Sequence, residues 1–378
     1  MKIIVDENIP FAEEAFLRFG DIILLNGRKI ENSVCKDADI LIVRSITNVD
    51  EELLNGSSIK FVGSATTGAD HIDTRYLSEN NIAHYIAAGC NAYSVVEYFF
   101  SAITHLAIEK GFSFQGKKLG VIGVGKIGSK VAAIGKSLGF EIIKNDPPLK
   151  RETGSDEYRP LEEALNADII TFHVPLNKTG IDKTHHMIDS KMLEKIRPGT
   201  VIVNSSRGSI IDNEALNNRL VAHNDLLTVI DVWENEPTIS KDLLNNVNIG
   251  TAHIAGYSLE GKVNGTVMVY NELCKFLNQQ PDWQPSLPIV ENQSLSVKSP
   301  QSIEEILSIL IKNIYDIIED NSLLKKGINM STAERGIYFD KLRKKYGIRR
   351  EFNNYKIIPE QLSENIIAQL KALRFLVK

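Results

Sequence analysis

The chain has 378 residues, a formal net charge of −5 and 24% charged residues. That length allows two or three domains with large cores, and the mildly acidic balance excludes a broad nucleic-acid footprint, which needs a basic domain. Its three cysteines, Cys35, Cys90 and Cys274, stand far apart and exclude a disulfide framework or a cysteine metal cluster, and no apolar run nears the roughly 20 residues of a membrane span.

The opening Met-Lys-Ile-Ile-Val-Asp reads as a strand rather than a signal peptide, so a cytoplasmic protein with no membrane partner is expected. Short apolar runs follow at residues 3–5, 22–25, 40–43, 61–62 and 83–86, with helical stretches such as 11–19 between several of them. Continuously apolar strands alternating with helices indicate a parallel sheet covered on both faces. The rhythm resumes after Lys118, with strands expected at 119–122, 142–144, 169–172, 201–204, 229–231 and 247–249. Long helical patterns near 92–110 and 259–277 flank this second half and carry the chain into it and back out. The expected fold is therefore α/β, with two doubly wound, Rossmann-like parallel-sheet domains plus a small α+β C-terminal domain. The boundaries expected are 1–92 with 264–285, 93–263, and 286–378. Residues 278–301, rich in Gln, Pro and Ser, read as a linker. Beyond them an amphipathic helix is expected near 303–319, a basic patch at 341–350, a strand near 355–358 and a helix near 362–373.

The most informative stretch is Val121-Ile-Gly-Val-Gly-Lys-Ile-Gly128, an apolar strand running into Gly123, Gly125 and Gly128 with a helical segment after it. These glycines allow a tight turn, a close backbone approach to a pyrophosphate, and close helix–strand packing. Asp146 ends the next strand about 20 residues on, where a carboxylate would grip a ribose hydroxyl and repel the extra phosphate of NADP, so NAD is the expected cofactor. Three further clusters follow. Arg207, just past a parallel strand, can hold a carboxylate with its planar fork. Asp231 ends a strand, and Glu236 precedes Pro237. His253 stands among small residues after a short strand. A hydroxy-acid dehydrogenase needs a carboxylate clamp, a proton acceptor and a nicotinamide, and these residues would supply them along one sheet. Glu236 beside His253 would orient the ring. His185 and His186 have no matching partners in sequence and are expected to be structural, and no metal site is expected.

The order Gly123-x-Gly-x-x-Gly128, His173-Val-Pro-Leu176, Ser206-Arg-Gly208, Asp231-Val-Trp-x-x-Glu-Pro237 and His253-Ile-Ala-Gly256 resembles the D-2-hydroxyacid dehydrogenase family over roughly residues 1–280. The resemblance implies NAD-dependent oxidation of a small hydroxy acid, with Arg207, Glu236 and His253 catalytic. It implies that Gly123, Gly125, Lys126, Ile127, Gly128, Asp146, Val174, Ser205, Ser206, Asp231 and Gly256 contact NAD. Arg44, Ser45, Thr66 and Tyr257 would contact substrate. Val5-Asp-Glu-Asn8, Val43-Arg-Ser45, Gly89-Cys-Asn91, Asp146-Pro-Pro148 and the C-terminal extension resemble a branch whose substrate is phosphorylated and whose extra domain serves homodimerisation. For the substrate phosphate, Arg44 is the first candidate and the 341–350 patch the second, the alternative for that patch being a solvated basic face. Two other readings stay open. One is a phosphoglycerate or glyoxylate dehydrogenase of the same family. The other is a non-catalytic NAD-sensing scaffold.

Overall fold

The computed structural model describes residues 1–298 and 302–378. These form two compact units, Met1–Ala92 with Tyr257–Ile289, and Tyr93–Gly256 with Val290–Lys378.

The first unit is a five-stranded parallel sheet of β1 (Lys2–Asp6), β2 (Asp21–Leu25), β3 (Ile40–Val43), β4 (Phe61–Ser64) and β5 (Ala83–Ile86), in the order β2-β1-β3-β4-β5. Both faces are covered, which explains why its inner strands carry consecutive apolar residues, Ile3–Val5 and Ile40–Val43, rather than alternate ones. Ile3, Val5, Ile40, Ile42 and Phe61 point to one face, against Phe16, Phe19 and the helix residues Val269, Tyr270 and Leu273. Ile4, Leu41, Val43 and Val62 point to the other, against Leu54 and Leu77. The two-residue side-chain period of a strand divides the run between two cores.

The second unit holds a six-stranded parallel sheet, β6 (Lys118–Ile122), β7 (Glu141–Asn145), β8 (Ile169–Phe172), β9 (Val201–Asn204), β10 (Leu227–Ile230) and β11 (Ile249–Gly250), in the order β11-β10-β9-β8-β6-β7. The chain leaves β6 for β7 on one side and returns for β8 on the other. Open parallel sheets bind ligands at the carboxyl ends of strands at such a reversal. The helix Ala92–Lys110 buries Tyr98, Phe99, Phe100, Ile103 and Leu106 completely.

The same unit includes a small parallel sheet, β12 (Ser294–Lys298), β13 (Lys356–Glu360) and β14 (Leu376–Val377), with β13 central. Three expectations change here. The stretch expected as a linker contains β12, and its residues 299–301 lie outside the described residues. The expected helix 303–319 is two helices, Ile303–Ile314 and Ile317–Lys325. Tyr315 turns to extended backbone between them, and the Asp316 carboxylate caps the second by accepting the Ile318 N–H at 2.9 Å. The basic patch is not one solvated face. Lys341, Lys344 and Lys345 are exposed, whereas Arg349 and Arg350 are 7% and 8% exposed.

Candidate active site

The glycine turn follows β6. Gly123 has φ +85°, and a Cβ there would come within 2.7 Å of the His173 backbone at the end of β8 and of Val174 Cγ1. This places the turn and Val174 together at the sheet reversal. A Cβ on Gly128 would meet the Gly123 carbonyl oxygen at 1.9 Å, so the helix Gly128–Ser137 packs onto its own turn only because residue 128 has no side chain. Gly125 differs, since a Cβ there would meet nothing within 4 Å. No contact among the described residues requires a glycine at that exposed position, but a phosphate lying on the backbone would. Lys126 is exposed beside it and Ile127 half-buried.

Asp146 follows β7 directly and accepts the Val124 N–H at 2.8 Å on one oxygen and the Leu149 N–H at 3.0 Å on the other. It thus ties the glycine turn to the neighbouring strand end, where a ribose would lie. His173 Nε2 lies 3.1 Å from Thr171 Oγ1, and burial pulls its imidazole down to about 3, which keeps it neutral behind the turn. The buried hydroxyl of Ser205 has no hydrogen-bond partner among the described residues, whereas Ser206 Oγ donates to Asn204 Oδ1 at 2.9 Å. An open glycine, a strand-end carboxylate and a buried orphan hydroxyl on one sheet edge fit a dinucleotide.

Arg207 stands three residues past β9. Asn204 shapes its loop, taking the Ser206 N–H on Oδ1 at 3.1 Å and donating Nδ2 to the Arg207 carbonyl at 2.9 Å. The Arg207 guanidinium is half-buried and donates to the Ser206 carbonyl at 2.8 Å. A Cβ on Gly208 would meet the Trp233 carbonyl at 2.1 Å, so this loop lies directly on the loop that carries Glu236.

Glu236 Oε2 lies 2.7 Å from His253 Nδ1, and its Oε1 accepts the Trp233 N–H at 2.8 Å. Burial opposes the charge on Glu236, but His253, the Trp233 N–H and the Arg343 charge together hold its carboxyl below the usual carboxylate range. A carboxylate on Nδ1 fixes the ring and leaves Nε2 for proton exchange. Asp231, 1% exposed, accepts Thr251 Oγ1 at 2.6 Å and the Ile254 N–H at 2.8 Å on one oxygen, and the Ala255 N–H at 3.0 Å on the other. These carboxylate bonds all go to the loop around His253. Half-buried Gly256 closes that loop.

Thus β9, β10 and β11, neighbours in the sheet, deliver Arg207, Asp231, Glu236 and His253 to one edge, with the glycine turn on β6 along the same edge. Arg44, Ser45, Thr66 and Tyr257 belong to the other unit. There, Arg44 follows β3, exposed Ser45 is next, and Thr66 follows β4 with its hydroxyl 3.0 Å from Ser64 Oγ. Tyr257 leads into the helix Leu259–Phe276, with Lys262 Nζ 4.6 Å from its ring centroid.

Sequence reasoning missed Asp6. This fully buried carboxylate ends β1, adjacent to β3, and Arg44 Nε lies 3.1 Å from its Oδ2. Two strand ends that neighbour only in the sheet make the pair, and the signal was an acid closing an apolar run. His186 also gains a partner invisible in sequence, with Nε2 2.6 Å from Glu234 Oε1.

Residues 103–255 match the family described as D-isomer specific 2-hydroxyacid dehydrogenase, NAD binding domain, and residues 286–373 match one described as a domain of unknown function. The erythronate-4-phosphate dehydrogenase of Cronobacter sakazakii is 42% identical, over 94% of this chain and 93% of its own length. That of Proteus mirabilis is 41% identical, over 95% of both chains. Among solved structures, NAD+-bound 3-phosphoglycerate dehydrogenase of Entamoeba histolytica superposes with a TM-score of 0.62 at 25% identity, covering 74% of this chain and 95% of its own. A D-lactate dehydrogenase of Aquifex aeolicus, complexed with NAD and lactic acid, gives a TM-score of 0.62 at 25% identity, covering 74% of this chain and 96% of its own.

Proposed function

The chain belongs to the erythronate-4-phosphate dehydrogenase family, and on that premise we propose that it oxidises 4-phospho-D-erythronate to 3-hydroxy-2-oxo-4-phosphooxybutanoate in pyridoxine 5′-phosphate (vitamin B6) synthesis. It is an NAD-dependent dehydrogenase. The observation that carries the reading is the His253–Glu236 pair, held at 2.7 Å on the strand-end edge that also bears Arg207.

NAD, when bound, supplies the hydride acceptor, and Gly125, Asp146 and Ser205 are the residues whose geometry fits it. Arg207 holds the substrate carboxylate through its guanidinium fork. His253 Nε2 takes the proton of the C2 hydroxyl as C2 loses its hydride, and Glu236 stabilises the imidazolium that results. In the reverse direction the charged imidazole returns that proton. Oxidation therefore needs neutral His253 and reduction needs it charged, so acid should slow the first and speed the second. In this reading Ser45, Thr66 and Tyr257 line the substrate, and Arg44 meets its phosphate. Asp231 faces the nicotinamide side of the cofactor.

We assign residues 1–92 with 264–285 to substrate binding, 93–263 to NAD, and 286–378 to homodimerisation in the cytoplasm. The apolar side chains of Ile337 and Ile348, 72% and 74% exposed, support a partner surface. No helix of the described residues is long and apolar enough to cross a membrane. The deciding assay mixes protein, NAD and 4-phosphoerythronate and follows nicotinamide absorbance, with phosphoglycerate and other hydroxy acids in parallel. Preferred turnover of a different hydroxy acid overturns the substrate. NAD binding without turnover of any of them overturns the enzyme and leaves the scaffold.

A further inference from the structure

His253 has φ +56°, the left-handed region that a residue with a side chain enters only when its surroundings impose it. The backbone around it is pinned from two sides. From the sheet side, Asp231 takes the Ile254 and Ala255 N–H groups, and its own carbonyl takes the His253 N–H at 2.8 Å. From the other side, the pins come from the segment after residue 290. Asn321 Oδ1 accepts the Gly250 N–H at 2.9 Å, and Lys325 Nζ donates to the Val247 carbonyl at 2.8 Å. Arg349 Nη2 donates to the Ala255 carbonyl. His253 is thus bracketed by Asn321 before it and Arg349 after it.

Arg349 is built into this position rather than resting there. It is 7% exposed, and its guanidinium carbon lies 4.6 Å from the Tyr315 ring centroid. Asp320 faces the same cluster, accepting the Tyr315 and Tyr346 hydroxyls at 3.0 and 2.8 Å. Burial opposes the Arg349 charge, but a guanidinium keeps its proton at any working pH, so its bond to the carbonyl is charge-assisted. A pocket of about 490 Å³, partly open to solvent, borders the loop and is lined by Ala252, Ile254, Tyr315, Tyr346 and Arg349. The loop therefore has space to shift into when a pin is lost.

We propose that the C-terminal segment, which matches a domain of unknown function, buttresses the proton-transfer loop, with Arg349 and Asn321 as positioning residues for His253. This rests on the reading of His253 as the proton acceptor. A displacement of about 1 Å in a reacting group can cost on the order of 100-fold in rate, which makes two remote hydrogen bonds kinetically visible.

The test compares full-length Asn321→Leu and Arg349→Met with wild type by steady-state kinetics, NADH fluorescence titration and hydrogen exchange of the 250–256 amides. The expected result is a fall in kcat of about tenfold or more, with the hydroxy-acid KM and the NADH affinity within about twofold. Faster exchange should be confined to that loop. Asn321→Asp keeps an acceptor for the Gly250 N–H and should restore both kcat and exchange. Unchanged kcat and exchange in Asn321→Leu overturn the proposal, as does a loss that Asn321→Asp fails to restore. Should Arg349→Met not fold, the two Asn321 variants decide. Exchange needs no substrate, so inactivity of the wild type on 4-phosphoerythronate would sink the assigned reaction, while the exchange rates would still decide whether the C-terminal segment holds the loop.

Discussion

His253 Nδ1 and Glu236 Oε2 lie 2.7 Å apart, and the second carboxylate oxygen is anchored by the Trp233 N–H at 2.8 Å. The acid is thus aimed at the ring by the strand-end loop that carries it. The bond occupies Nδ1, so any proton exchange at this ring would run through Nε2.

Glu236→Gln removes the charge but keeps the shape. The expected loss in kcat is about 100-fold, with NADH affinity unchanged. The stability effect has a definite pH sense. Glu236 is held below the usual carboxylate range in the folded protein, so its stabilisation is complete above the unfolded carboxylate's titration and disappears as pH falls through the folded value. Urea unfolding should show wild type more stable than Glu236→Gln by about 1–2 kcal/mol near neutrality, with the gap closing in acid. A gap independent of pH would contradict the pairing.

Two glycines of the same turn should respond in opposite ways to alanine. The Gly125→Ala methyl meets no atom of the described residues within 4 Å, so melting should be nearly unchanged while NADH affinity falls by about tenfold or more. Gly128→Ala forces a methyl into the Gly123 carbonyl and should destabilise the fold by about 1–3 kcal/mol or more. Calorimetry and fluorescence titration separate the two, and equal behaviour would remove the cofactor argument from Gly125.

Arg44→Ala should weaken binding of the phosphorylated substrate much more than binding of an unphosphorylated hydroxy acid. It also leaves Asp6 buried without its cation, at a cost on the order of 2 kcal/mol, tempered because Arg44 keeps 23% of its side chain exposed. Adding Asp6→Asn should recover much of that stability but none of the phosphate selectivity. Equal losses for both substrates would reject Arg44 as the phosphate cation.

Asp231→Asn keeps one acceptor oxygen and turns the other into an NH2, which then points at donors, either the Ala255 amide or the Thr251 hydroxyl and Ile254 amide. Each orphaned donor costs about 1–3 kcal/mol, and the His253 loop should loosen with it. If loop support is the main role of Asp231, kcat falls while NADH affinity holds. A parallel fall in NADH affinity would instead favour direct contact with the nicotinamide side.

The strand–helix rhythm was legible because both sheets are covered on both faces, so a four-residue apolar run such as Ile40–Val43 can only be an inner strand. The turn at Gly123 and the order of Arg207, Glu236 and His253 were legible because they depend on local spacing. The region after residue 290 was harder. Its β14 is two residues long, and the helix Thr332–Lys344 carries few apolar residues, so neither leaves a periodic signature. The basic patch looked like one surface because charge is counted along the chain, yet Arg349 turns inward to Tyr315 and Ala255.

By itself the sequence determined the two parallel sheets and the dinucleotide turn, since apolar period and glycine spacing act over a few neighbouring residues. Only the tertiary structure decided that Asp6 faces Arg44, that Asp231 binds the His253 loop, and that Asn321 and Arg349 bracket it. Those contacts join strand ends and segments far apart in the chain, and it is strand order and burial, not local pattern, that choose which groups must satisfy one another.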